Sequence, residues 1–187
     1  MNNNTFNSSF INLWASVANA ANEYGIVSPY SLINVLYPLY YGATNNVEKE
    51  LGQLLNLEKD NKTIEFLFNL YQAINNSGVA KTTTILATKG LLETKQEFGN
   101  VFATMIKILK CGKNDTNSIA QVINYTVGLV HKSFSNMFNA QMINEADCIM
   151  ANVIHFKANW RQQFDAHETR NDNFYIDDGK ETTTKLI

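Results

Sequence analysis

The chain has 187 residues, 45% of them hydrophobic and 17% charged, so it is long enough to bury a real core and too apolar to be disordered. A formal charge of −2, with Lys and Arg scattered among Asp and Glu, gives no electrostatic footprint for nucleic acid or an anionic membrane. Two cysteines, Cys111 and Cys148, are too few for a secreted disulfide framework.

In chain order, Phe6, Phe10, Leu13, Trp14, Val17 and Ala21 recur at helical spacing, and Gly25 ends the segment. Ser28-Pro29 then predicts a helix start, because the serine oxygen accepts a free backbone N–H and proline has none to satisfy. The helix that follows, up to about Tyr41, is apolar nearly all round and central to the core. Pro38 inside it costs about 3 kcal/mol unless the helix kinks. Asn45 with Glu48 forms a capping box for a short helix, and Asp60 caps another bearing Ile64, Leu67, Phe68, Tyr71 and Ile74.

The β-branched, threonine-rich run Thr82 to Leu92 predicts a strand. Phe98, Val101, Phe102, Met105, Ile106 and Leu109 mark a helix with a short strand after it near Cys111, and Ile119 to Val130 one helix more. Cys148 to Phe156 is a nearly continuous apolar run, as in a strand buried on both faces. Phe174-Tyr175-Ile176 and Thr182-Thr183-Thr184, separated by Asp177-Asp178-Gly179, predict a hairpin. The N-terminus has neither the basic start nor the apolar run of a signal peptide, and no stretch approaches the ~20 apolar residues of a membrane span. A cytoplasmic location, or secretion by a leaderless route, is therefore expected.

Tests for chemistry come out bland. His131, His155 and His167 stand apart without metal-ligand spacing, and neither a G-x-S-x-G elbow nor a phosphate-binding glycine loop occurs. No enzyme, catalytic residue, metal or cofactor is expected. Six N-x-S/T triplets, headed by Asn3, Asn7, Asn61, Asn75, Asn114 and Asn124, are what so Asn-rich a chain produces by chance. One residue asks for explanation: Asn152 sits mid-strand in an apolar run, where an unpaired amide costs about 1–3 kcal/mol, so it needs partners.

Four ordered blocks together resemble one family. Val27-Ser28-Pro29-Tyr30-Ser31-Leu32 is similar to F-S-P-x-S-I/L. Tyr41-Gly42-Ala43-Thr44 with Glu48 to Leu51 is similar to L-G-A-x-x-x-T-x-x-E-L. Ala151 to Trp160 is similar to V-N-A-I-Y-F-K-G-x-W, with Phe164 at family spacing, and Phe174 with Leu186-Ile187 resembles F-x-x-x-D-G … M-M. These are motifs of the serpins, and the chain resembles the N-terminal half of one. The resemblance implies an α+β serpin fold, many helices with mixed and antiparallel sheets, of which 1–187 supplies helices A to F and part of sheet A. Cys148–Phe156 corresponds to the third strand of sheet A, and the strand near Leu86 to the second.

It further implies that Ser28, Ser31 and Asn152 lie in the shutter, a hydrogen-bonded cluster beneath the point where sheet A opens. Trp160 lies in the breach, where loop insertion begins. The implied function is trapping of a target protease, a chymotrypsin-like serine protease or a cysteine protease, as a suicide substrate. The reactive loop belongs to a C-terminal half outside this sequence, so the reactive bond is unknown and that half is an expected partner. The alternatives are a non-inhibitory serpin acting as a binding or chaperone module, told apart by the hinge before the loop, and an inactive truncated product. Standing alone, the 187 residues are not expected to form a stable serpin monomer.

Departures from the family pattern are Lys89, read as holding the second-strand position of a shutter asparagine, Pro38 in helix B, and His131 to Ser135 in place of T-x-G-x-I. Lys59 and Lys62 are offset by Glu58, Asp60 and Glu65, so no heparin-binding stripe is expected. Cys111 and Cys148 are expected on strands flanking a common neighbour, about 9–10 Å apart and beyond disulfide reach.

Overall fold

The computed structural model describes residues 8, 11–13, 15, 28–89, 95–111, 116–175 and 181–186, with 89, 111, 174, 175 and 181–186 described by backbone alone. Most of the expected first helix therefore lies outside the described residues. Ser8, Ile11, Asn12, Leu13 and Ala15 are helical, and Leu13 is in the core. The chain divides into two compact units, Met1–Phe156 and Lys157–Ile187.

In the first unit, Ser28 caps α1 (Pro29–Gly42), its Oγ accepting the Ser31 N–H at 3.2 Å. The helix runs on through Pro38, which is buried, for another turn. Helix α2 (Asn45–Leu55) departs from expectation at its start. Thr44 is the cap residue and makes no side-chain capping bond, while Asn45 takes a left-handed φ of 56°. Glu48 reaches instead to Lys59, whose Nζ donates to it at 2.9 Å and to the Ala43 carbonyl at 2.8 Å. An ion pair outside the helix has displaced the capping box. Asp60 caps α3 (Asn61–Asn76) as expected, Oδ1 accepting the Thr63 N–H at 2.8 Å. That bond holds its carboxyl below the usual aspartate range.

The threonine-rich run forms β1 (Ala80–Lys89). The expected helix over Phe98 to Leu109 is really two elements, α4 (Gln96–Phe102) and β2 (Ile106–Cys111). Its apolar residues fit either period, and pairing with β1 claims the last of them. Helix α5 (Thr116–Gly128), a one-turn 3-10 helix (Lys132–Phe134), α6 (Ala140–Asn144) and β3 (Cys148–Phe156) complete the unit.

Strand β1 lies in the middle of a mixed sheet of order β2-β1-β3, parallel to β2 and antiparallel to β3. Alternate side chains point to opposite faces. Leu86 and Met150 join Ile33, Tyr37, Leu55, Leu67 and Phe102 in one core, beneath α1. Ile85, Ala87 and Val153 join Ile119, Ile123, Val127 and Ile143 in another, beneath α5. Covering both faces is why every residue from Thr82 to Thr88 is buried. Cys111 is registered with Lys89 and Cys148 with Thr88, so the cysteines do flank a common strand, about two strand spacings apart.

The second unit contains a 3-10 turn (Ala166–Glu168) capped by Asp165, then β4 (Arg170–Tyr175) paired antiparallel with β5 (Glu181–Leu186). The expected hairpin is formed, and its turn lies outside the described residues.

Candidate functional site

Strand β3 carries the one polar side chain that the sequence marks out. Asn152 is registered with Thr84 across the β1–β3 ladder. Its Nδ2 donates to Thr84 Oγ1 at 2.9 Å, Thr82 Oγ1 at 3.1 Å and the Thr83 carbonyl at 3.2 Å. The Thr83 carbonyl accepts only, which fixes the amide with nitrogen toward β1 and oxygen away from it. That oxygen, Oδ1, is buried and makes no hydrogen bond. Thr82 uses its own proton on the Val153 carbonyl at 2.9 Å, fastening β1 to β3 a second time.

Helix α1 packs on β3 and brings two further buried polar groups to this region. Asn34 Nδ2 donates to the Tyr30 carbonyl at 2.8 Å. The Tyr30 hydroxyl lies beside the Asn34 and Thr82 side chains, yet no hydrogen bond of good geometry joins them. Burial pushes its pKa up to about 12, the small opposing pull of Asn34 and Thr82 notwithstanding. Two turns along the same helix face, Tyr37 is fully buried and better served, donating to the Glu58 carbonyl at 3.0 Å.

Ser28 and Ser31, half-buried at the head of α1, are joined to each other by the cap bond. The hydrogen bonds of Asn152 run to the β1 threonines and not to these serines. Trp160 belongs to the second unit, where its exposed ring meets Phe164 edge-on at 6.2 Å between centroids. Lys89 needs correcting: it is registered with Cys111, five residues beyond Thr84, so it is not level with Asn152. The residues that sequence reasoning missed are Thr82, Thr84, Tyr30 and Asn34. Three successive threonines were visible, but their register against Asn152 was not.

On its outer side β3 pairs with no other strand among the described residues. Cys148, at its start, is an exposed free thiol whose pKa is raised by partial burial, and a protonated thiol is a weak nucleophile. Among the described residues no group of three or more His, Cys, Asp or Glu could hold a metal ion. A half-buried amide whose buried oxygen is unpartnered, on an edge strand of a sheet packed on both faces, is suited to receiving another strand.

The family model for serpins, serine protease inhibitors, matches residues 2–187. The chain belongs to the serpin family. An uncharacterized serpin-like protein R700 of Acanthamoeba polyphaga mimivirus is 28% identical over 180 residues, covering 93% of this chain and 41% of the relative. Human antithrombin-III is 24% identical over 180 residues, covering 89% of this chain and 39% of the relative. The structure of cleaved Serpin 42Da superimposes with a TM-score of 0.81 at 22% identity, over 95% of this serpin chain and 50% of that one. The α+β serpin fold expected from the motifs is thus present, and the family is one of inhibitors with no catalytic family indicated. This serpin chain spans about two fifths of the length of the curated relatives it matches.

Proposed function

We propose that the protein built on this chain inhibits serine proteases of the chymotrypsin type, or cysteine proteases, by trapping them during cleavage. The protease nucleophile attacks the carbonyl of the reactive loop, which lies in the part of a serpin outside this chain, and the loop amine leaves. The loop, now bound to the protease as an acyl group, inserts as a strand between β3 and the fifth strand of sheet A, which lies outside this chain, before water can hydrolyse that bond.

The observation that carries this reading is the condition of β3. Its outer edge is unpaired among the described residues, and Asn152 Oδ1 is a buried acceptor with no donor. Leaving such a group unsatisfied costs about 1–3 kcal/mol, so a strand that supplies a donor there is favoured beyond its backbone ladder. Ser28 and Ser31 would hold the α1 end of the shutter against the sheet, and Trp160 would sit where insertion starts.

The test is incubation of the complete product with chymotrypsin-like and cysteine proteases. A complex that survives SDS, at the summed mass of protease and inhibitor, is expected. Cleavage without any such complex, across the panel, contradicts trapping and points to a binding module.

A further inference from the structure

Two histidines unused by that reading are stacked on each other. His131 follows α5 and heads the 3-10 turn, while His155 is on β3, yet their rings lie 4.1 Å apart between centroids and within 4° of parallel. They join the start of the α5–β3 connector (residues 129–147) to the strand over which it passes. His131 is further tied in place: its Nδ1 accepts the Ser133 N–H at 3.3 Å, and its ring meets Phe134 edge-on at 6.3 Å. An Nδ1 that accepts is unprotonated, so this arrangement requires a neutral ring.

A few residues on, the same connector is held differently. Asn124 on α5 binds the backbone of Phe138 from both ends of its amide, Nδ2 to the carbonyl at 2.7 Å and Oδ1 from the N–H at 3.0 Å. That clamp contains nothing titratable. The connector thus has one fastening indifferent to protons and one that is not.

Two cations lie next to the pair in register or in sequence: Lys81 on β1 is registered directly opposite His155, and Lys132 follows His131 in the turn. Helix α5 has no Asp, Glu, Lys, Arg or His. The connector's acids, Glu145 and Asp147, precede Cys148 at the far end of β3, roughly 25 Å from His155 at the usual strand rise. Glu145 accepts a hydrogen bond from Gln141 there. Parallel stacked imidazoles cannot aim their in-plane lone pairs at one ion, so the geometry is not that of a metal site.

We propose that the His131–His155 stack is a proton-sensitive latch, which fastens the α5–β3 connector to β3 at neutral pH and releases it in mildly acidic solution. Protonation removes the Nδ1 acceptor that caps the 3-10 turn and places two like charges about 4 Å apart beside Lys81. The sign follows: the latched state is favoured above the ordinary imidazole range and lost as pH falls through it. Release would loosen one face of the strand beside which another is to be added.

The proposal is tested by hydrogen exchange on the intact protein at about pH 7.5 and about pH 5.5, corrected for intrinsic rates. Amides of residues 129–137 should lose protection about tenfold at the lower pH, the scale of one unit of proton linkage. In His131→Phe, which keeps a flat ring and removes the titration, that loss should fall to less than about twofold. A wild-type connector indifferent to pH, or an equal loss in His131→Phe, overturns the latch.

Discussion

Buried Tyr30 and half-buried Asn152 are polar side chains in the same part of the first unit, and they make opposite predictions. Asn152 donates three hydrogen bonds from one nitrogen, so Asn152→Ala should destabilise the fold by about 1–3 kcal/mol, measured by chemical denaturation. Asn152→Asp should be worse at neutral pH, because a carboxylate would face the Thr83 carbonyl, and should recover part of the loss once acid protonates it. The Tyr30 hydroxyl makes no hydrogen bond, so Tyr30→Phe should be neutral or slightly stabilising at pH 7.

The pH dependence of Tyr30 has a definite sign. Burial raises its pKa from the ordinary tyrosine value near 10 to about 12 in the folded protein, so the unfolded chain ionises first. The stability it contributes is complete below the ordinary value and is lost as pH rises from about 10 toward about 12. Thermal melts of wild type and Tyr30→Phe should therefore coincide near pH 7 and diverge near pH 11, with the variant the more stable. Curves that remain parallel throughout would rule out Tyr30 as the alkaline trigger.

Among the elements, those whose signals are local were the most legible. Ser28 before Pro29 announced the start of α1, and Ser28→Ala should cost about 1 kcal/mol through loss of the Ser31 N–H partner. The bounds of β3 were readable to the residue, because an apolar run of that length bounded by Asp147 and Lys157 admits few alternatives. The expected burial on both its faces is not met: of its residues only Val153 is buried, since β3 is an edge strand. Where two periods compete, the sequence misleads. Ile106 and Leu109 continue the helical spacing of Phe98 and Phe102, and only the presence of β1 alongside makes them strand. Glu48 likewise satisfies the capping-box pattern, but Lys59, eleven residues on, offers it a charge.

The candidate site was legible as a need rather than as a geometry. That Asn152 required partners followed from its apolar neighbours; that they are Thr82, Thr83 and Thr84 depends on strand register, which no local pattern encodes. A larger test of the packing is Ile123, fully buried where α5 meets the sheet. Ile123→Ala should cost about 2–5 kcal/mol and free α5 from β1 and β3. A change under 1 kcal/mol, by denaturant titration, would mean that α5 is not a structural cover for the sheet.

For the molecule as a whole, the account turns on what β3 does with its outer edge. Both faces of the sheet are packed, and β2 and β3 are its two edge strands among the described elements, β3 being the one that carries Asn152. An edge strand with such a face is also a site for unwanted pairing. Under the proposed function, β3 is one bank of the gap that the cleaved loop would enter. The most direct measurement is hydrogen exchange along β3 in the complete protein, before and after cleavage of its loop by a protease. The account predicts that the protection of those β3 amides not bonded to β1 changes on cleavage, as the inserted strand becomes their partner. Exchange along β3 that is the same in the intact and the cleaved protein would contradict it.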